Sequence, residues 1–238
     1  MSRQNRVTPF NELIATPARG ALMGNRGILH DASGRILRSH AHRTWVTCLL
    51  EFKGRWRQVM TPGRYTELFF LDEATALAAG HRPCGECRRG DYLRFKAFWK
   101  QVRGETEEGR GGDWKGGDWK ALEIDRILHG ERVSGRGRQR TKPLHEAPFA
   151  SLPDGAMFSL EDMGSSGGAG GSGSTRGTGM LKWGGRALGW APEGYREAPA
   201  LHPELSVAVL TPPTVVKVIR AGYRPRVHPS AVLPSVIG

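Results

Sequence analysis

Residues 69–89 read FFLDEATALAAGHRPCGECRR, and this stretch decides most of what the chain says about its fold and chemistry. Asp72 is a residue type that caps helices, an Ala-rich run follows it, and Gly80 stands where a helix commonly ends. The sequence therefore predicts a short helix between them. Cys84 and Cys87 follow in a turn, and their spacing lets two sulfurs reach one ion, which is half of a tetrahedral zinc site.

The cysteine count favours a metal over a disulfide. The chain has 3 cysteines in 238 residues, and the remaining one is Cys48. So few cysteines do not make a disulfide framework, and Cys48 falls in the clearest predicted strand, residues 45–52. Its thiol is the expected third ligand and His30 the expected fourth, with His42, His40 and His81 as alternatives in that order. The competing interpretation is a buried, unligated Cys48 and a His30 that only occupies a turn. The predicted cofactor is zinc, with the ligands Cys48, Cys84, Cys87 and His30.

The charge of the chain favours a polyanionic partner. Its 35 Lys and Arg residues against 23 Asp and Glu residues give a formal net charge of +12. An excess of this size is typical of proteins that bind nucleic acid, although solvated arginine faces give the same count. We expect nucleic acid, DNA in the first place, as the partner. The candidate contacts flank the cysteine pair or lie in a basic loop over 132–142, and they are Arg82, Arg88, Arg89, Arg136, Arg138, Arg140 and Lys142.

Hydropathy excludes a membrane-spanning class. No apolar run approaches the length needed to cross a bilayer, and no hydrophobic signal core opens the sequence. We therefore expect no membrane partner and a location in the reducing cytoplasm.

The predicted elements favour an α+β protein. The expected segments are an irregular N-terminal arm (1–20), a zinc-knuckle module (21–102), a low-complexity, helical and basic connector (103–149) and a β-rich C-terminal part (150–238). A Gly/Ser-rich insertion at 164–179 is expected to be disordered, because it has no side chains to build a core. A strand over 45–52 is expected to pair with residues 56–60 as a hairpin, and Thr211 to cap a helix that starts in the following Pro-Pro.

The pattern around the cysteine pair resembles the Ada-type zinc-binding domain. In residues 69–89 an aromatic strand, an Ala-rich helix and Arg-Pro-Cys-x-x-Cys follow one another as in that family, and the upstream Gly-Asn-Arg-Gly-Ile-Leu-His over 24–30 is similar to variants of the domain. The resemblance covers about residues 22–95, and the whole chain resembles an uncharacterised bacterial family. It implies a zinc-centred fold, DNA binding, a role connected with DNA damage or repair, and a zinc-held thiolate that accepts a methyl group from a phosphotriester.

Three departures narrow what the resemblance implies. The chain lacks the upstream Cys-x-x-x-Cys pair, lacks the Pro-Cys-His-Arg alkyltransferase motif and shows no helix-turn-helix. An imidazole in place of one thiolate makes the site less negative and the remaining sulfurs less nucleophilic. DNA binding around a structural zinc is then favoured over methyl acceptance.

The sequence is also compatible with two other functions. A nucleic-acid-processing enzyme would use His129 and Glu131 as acid and base, with Asp125 one helical turn before His129. The same residues could form a solvated charged face. A protein-interaction scaffold would use the zinc only for structure and dock a partner on its C-terminal part.

Overall fold

Two six-stranded sheets and four helices make up the part of the chain that the computed structural model describes, which is residues 2–56, 58–104, 118–135, 141–160 and 177–232. The fold is α+β, as the sequence predicts. None of the helices within these ranges combines the length and the apolar character needed to cross a membrane.

The first sheet is built from the N-terminal third of the chain and has the order β2-β1-β5-β3-β4-β6. Its strands are β1 (Gln4–Val7), β2 (Leu13–Ala15), β3 (Leu22–Asn25), β4 (Val46–Cys48), β5 (Leu68–Phe70) and β6 (Arg82–Pro83). β3 runs antiparallel to both of its neighbours, whereas β4 and β6 are parallel.

The second sheet is built from the C-terminal part and has the order β11-β10-β9-β8-β12-β7, with antiparallel pairing throughout. Its strands are β7 (His145–Pro148), β8 (Met157–Ser159), β9 (Gly179–Trp183), β10 (Arg186–Ala191), β11 (Gly194–Glu197) and β12 (Ser206–Val209). The helices are α1 (Glu73–Ala78), α2 (Arg89–Arg103), α3 (Ala121–Arg132) and α4 (Pro213–Arg220).

Helix α1 lies where three hydrophobic clusters meet. Ala76 belongs to the cluster on the first sheet, Ala74 and Ala78 belong to a cluster with the second sheet, and Leu77 joins the core between α2, α3 and α4. Every residue of the helix is buried. The small alanine side chains let neighbours approach on all sides, which explains why an Ala-rich sequence occupies this position.

Two acids at the start of α1 bind the C-terminal segment to the first sheet. Asp72 caps the helix by accepting from the Thr75 backbone N–H, and its Oδ2 accepts from the Tyr195 hydroxyl and the His228 backbone N–H, each within 2.9 Å. Glu73 accepts from the Tyr223 hydroxyl at 2.6 Å. The helix cap predicted from sequence is confirmed, and it also serves as a long-range connection.

The structure differs from the sequence prediction at three places. Residues 1–20 include the β1–β2 hairpin rather than only an irregular arm, because Asn11, with φ of 76°, closes a turn between the strands. The hairpin predicted for 45–60 does not form: β4 pairs with β3 and β6, and none of residues 56 and 58–60 lies in a strand. Thr211 does not cap α4, because its hydroxyl accepts from the Met157 backbone N–H.

Candidate metal centre

The three cysteines of the chain come together at the edge of the first sheet. Cys48 is the last residue of β4, and Cys84 and Cys87 lie in the turn between β6 and α2. The parallel pairing of β4 with β6 continues in a hydrogen bond of 2.9 Å from the Cys84 backbone N–H to the Thr47 carbonyl, which places the turn beside Cys48. All three Sγ atoms lie within 4.8 Å of one another, and no disulfide joins them.

The three thiols differ in acidity because they share hydrogen bonds. The Cys48 thiol donates to Cys84, and this bond lowers the pKa of Cys84 to about 5, with backbone N–H groups in the turn adding to the effect. The same interaction raises the pKa of Cys48, and burial raises that of Cys87. The cluster therefore holds one negative charge readily, and a cation is needed before all three sulfurs ionise.

Arg82, just before the cysteine pair, is a buried anchor of the turn. Its Nε and Nη2 donate to the two carboxylate oxygens of Asp125 in α3 at 2.9 and 2.8 Å. Both side chains are at most 4% exposed. The predicted contact of Arg82 with nucleic acid is thus replaced by an internal ion pair, because its guanidinium faces the helices and not the solvent.

Arg88, just after the pair, anchors the other end of the turn. Its guanidinium donates to Glu73 at 2.6 Å, to Asp91 at 3.0 Å and to the Thr47 hydroxyl at 3.0 Å. The side chain is buried, so Arg88 is likewise not available for a phosphate. Both flanking arginines are thus fixed to the scaffold, and they hold the cysteine turn in place through partners outside the thiol cluster. Metal ligands are commonly oriented by such surrounding hydrogen bonds.

His30 is not part of the thiol cluster. Within the described residues, the group of close metal-ligating atoms contains the three cysteines alone. The Nδ1 atom of His30 hydrogen-bonds the Thr66 hydroxyl at 2.6 Å, and the ring lines a separate cavity of about 460 Å³. The arrangement therefore does not include His30 among the close ligand atoms, and a β-bridge joins the histidine to Ile36.

The three alternative histidines also lie outside the thiol cluster and contact other residues. His81 is fully buried between Trp45 and Phe70, where its Nε2 accepts from Arg26 at 3.2 Å and burial lowers its pKa well below the usual value. The His40 ring lies 5.3 Å from the Trp45 ring, centre to centre, and the His42 backbone carbonyl accepts from the Trp45 indole N–H at 2.9 Å. None of the three belongs to the group of close ligand atoms in the described ranges.

A cavity of about 610 Å³ borders the three thiols. Strand alternation explains its position, since Met23, Cys48 and Phe69 are cross-strand neighbours on one face of the first sheet. Residues of the long connection between β4 and β5 cover that face. The lining residues outside the strands include Leu49, Leu50, Phe52, Arg55, Trp56, Val59 and Tyr65.

A buried carboxylate forms part of the cavity wall. Glu67 directly precedes β5, is 1% exposed, and accepts the Met60 backbone N–H on Oε2 at 2.7 Å. Its Oε1 is shielded from solvent and has no hydrogen-bond partner. Sequence reasoning missed this residue, although an acid placed directly before the apolar Leu-Phe-Phe of a strand was the available signal.

The mouth of the cavity carries an aromatic ring and cations. Trp56 is 88% exposed, the largest exposed fraction among the large apolar side chains of the described residues. Arg55 pairs with Glu86 at 2.8 Å, and both side chains are about half exposed. Lys53 lies 5.1 Å from the centre of the Phe52 ring.

The other predicted nucleic-acid contacts have different positions. Arg89 is exposed at the start of α2. Lys142 is partly buried, and its ammonium group donates to the Pro9 and Ala78 carbonyls at 2.5 and 2.6 Å. It therefore connects the β1–β2 turn to the end of α1. Arg136, Arg138 and Arg140 lie outside the described residues.

The residues predicted for an alternative enzyme contact neighbouring elements of the fold. Asp125 is paired with Arg82, and Glu131 accepts from the backbone N–H and the hydroxyl of Thr214 at the start of α4. His129 packs its ring against His40 and Trp45. These side chains hold α3 against its neighbours, so the structure gives no support to acid–base chemistry by His129 and Glu131.

Comparisons of the chain with protein-family models, with curated proteins and with solved structures return no match. The geometry of the thiol cluster and its cavity is therefore the basis for assigning a function.

Proposed function

We propose that the protein is a zinc-binding protein whose metal is held by the thiolates of Cys48, Cys84 and Cys87. The observation that carries the proposal is the convergence of three sulfurs within 4.8 Å, from a strand end and a tight turn. Three thiolates are soft ligands that suit zinc in a tetrahedral arrangement. Binding a divalent ion also removes the cost of ionising three neighbouring thiols.

The fourth coordination position is assigned to a water molecule or an external ligand. No histidine or acid of the described ranges joins the three sulfurs in the group of close ligand atoms, and all three cysteines line the 610 Å³ cavity. Zinc sites that complete four protein ligands are closed and structural, whereas sites with three protein ligands keep a position for exchange. The arrangement therefore favours a zinc centre that faces a ligand.

Metal analysis with two variants tests the ligand set. Protein made without a His tag is expected to contain about one zinc per chain, and Cys48→Ser to lose most of it, because a zinc site needs its thiolates. His30→Asn is the matched control, since asparagine can keep the Thr66 hydrogen bond while removing Nε2. It is expected to retain the metal. Retention in Cys48→Ser, or loss in a folded His30→Asn, would contradict the assignment.

Contact with nucleic acid is a second candidate function. It is supported by the net charge of +12 and by the exposed Lys53, Arg55, Trp56 and Arg89 around the thiol cluster. Aromatic rings stack on unpaired bases and cations neutralise phosphates, so a single strand is the favoured form. We place DNA first among such partners, in line with the Ada-type resemblance, and a role in DNA damage or repair would follow from it.

The salt dependence of binding tests this second function. Affinity for a single-stranded DNA oligonucleotide is expected to fall as salt rises, with a slope of about −0.7 per neutralised phosphate on a plot of log K against log salt. The double variant Lys53→Ala/Arg89→Ala should weaken binding and reduce the magnitude of the slope by about 1.4, since it removes two cations. Arg186→Ala removes an exposed charge on β10 and should change little. An equal loss in the two variants would argue against an interface beside the thiols.

A further inference from the structure

The cavity beside the thiol cluster has the features of a ligand-binding site. Its volume of about 610 Å³ falls within the range of sites for small organic molecules. Its wall combines apolar and aromatic side chains with polar ones, which include Asn25, Glu51, Arg55, Glu67 and Glu86. The polar groups identify the kind of ligand.

The most informative polar group is the carboxylate of Glu67. It is 1% exposed, and its Oε1 has no partner among the described residues. An unsatisfied buried acceptor is destabilising, and more so when the group is charged, so a group of this kind in the wall of a cavity points to a ligand. A ligand that presents an N–H donor would satisfy this oxygen.

The rings of the cavity favour a flat ligand. Phe52, Trp56, Tyr65 and Phe69 all contribute to the wall, and Trp56 stands 88% exposed at the mouth. Aromatic side chains bind planar heterocycles by stacking. The exposed ring of Trp56 is available for such a contact.

The open end of the cavity carries charges of both signs. Glu51, Arg55 and Glu86 are exposed lining residues. Arg55 contacts Glu86 at 2.8 Å and the Phe52 ring at 5.5 Å, and its guanidinium has donors beyond the one that Glu86 accepts. Arg55 is therefore the lining residue that can meet a phosphate attached to a bound base.

We propose that this cavity binds a nitrogen base with an exocyclic amino group, such as cytosine, which stacks on Trp56 and donates to Oε1 of Glu67. The proposal rests on the proposed function, because the thiolate–zinc centre forms one wall of the cavity. The base belongs to a free nucleoside or nucleotide or to an unpaired strand; both present the same edge. Uracil has the same size but carries an acceptor where cytosine carries the amino group, so it is the matched poor ligand.

Binding of cytidine to the zinc-loaded full-length protein, followed by calorimetry and by quenching of tryptophan fluorescence, tests the proposal. Cytidine is expected to bind about 10-fold or more tightly than uridine, since only cytidine can donate its amino group to the carboxylate. Glu67→Gln should weaken cytidine binding about 10- to 100-fold, and Trp56→Ala by a similar factor. A cytosine-containing single-stranded oligonucleotide, titrated in parallel, separates a strand ligand from a free one by its higher affinity.

The controls separate this proposal from the zinc assignment. Glu86→Gln removes an exposed carboxylate of the same cavity and should leave cytidine binding almost unchanged. Zinc content is expected to be equal in wild type, Glu67→Gln and Glu86→Gln, because neither acid belongs to the thiol group. Equal binding of cytidine and uridine, or full affinity in Glu67→Gln, would overturn the base-binding proposal while the zinc remains. Zinc-free protein as isolated would overturn the proposed function itself.

Discussion

Zinc removal is expected to lower the midpoint of thermal unfolding by about 10 °C. A ligand at about a thousand times its Kd adds roughly 4 kcal/mol to the folded state, and about 2–4 °C accompany each kcal/mol in a protein of this size. The metal would join β4 to the turn before α2, and both elements contact the rest of the first sheet. Scanning calorimetry of the protein with and without a chelator measures the difference.

The cysteine variant provides the control for this prediction. Cys48→Ser should unfold near the midpoint of the chelated wild type, and the chelator should have no further effect on it, because both treatments remove the same metal. His30→Asn should respond to the chelator as the wild type does. A wild-type midpoint that does not change with chelator would show that the fold does not depend on a bound metal.

Loss of the acid at Asp125 is expected to cost about 3–5 kcal/mol of unfolding free energy. In Asp125→Asn the guanidinium of Arg82 would remain buried without its carboxylate, and removal of one partner from a buried pair is destabilising by about that amount. Arg132, which is also buried, adds to this loss because Asp125 stabilises its charged form as well. Burial lowers the pKa of Arg132 to about 9, and the negative charge of Asp125 opposes that shift. Urea unfolding of the variant measures the loss.

An exposed ion pair supplies the comparison for Asp125. Glu197→Gln removes the acid that faces Arg186 on the second sheet, where both side chains are more than half exposed. Solvent screens such pairs, so this variant should lose less than about 1 kcal/mol. Similar losses in the two variants would mean that the Arg82 pair is not the anchor of the cysteine turn. A weaker zinc affinity in Asp125→Asn alone would support that role.

Local signals account for what the sequence predicted well. The short helix after Asp72 is fixed by its own cap and by Gly80, whose φ of 80° suits glycine, and the cysteine turn follows at once in the chain. The predicted convergence of Cys48 with Cys84 and Cys87 is also seen. This prediction needed only one condition, that the strand carrying Cys48 lies beside the cysteine turn, and the pairing of β4 with β6 meets it.

The features that the sequence did not predict depend on contacts between residues far apart in the chain. The acid that pairs with Arg82 lies 43 positions later in the chain, so the arginine could not be distinguished from a surface cation. His30 was expected beside the thiols because histidine is a common zinc ligand, but its position in the fold depends on the bridge to Ile36, which the sequence pattern does not indicate. Glu67 was missed for the same reason, since its burial arises from the connection that closes over the sheet.

Because α1 packs in three hydrophobic clusters, the cysteine turn that follows it depends on residues far along the chain. A fragment that ended after α2 would leave Ala74 and Ala78 without the second sheet, and Leu77 without α3 and α4. The cysteine turn therefore follows a helix whose packing depends on the C-terminal strands. A substitution in those strands that loosens α1 is expected to disturb the turn without touching a thiol.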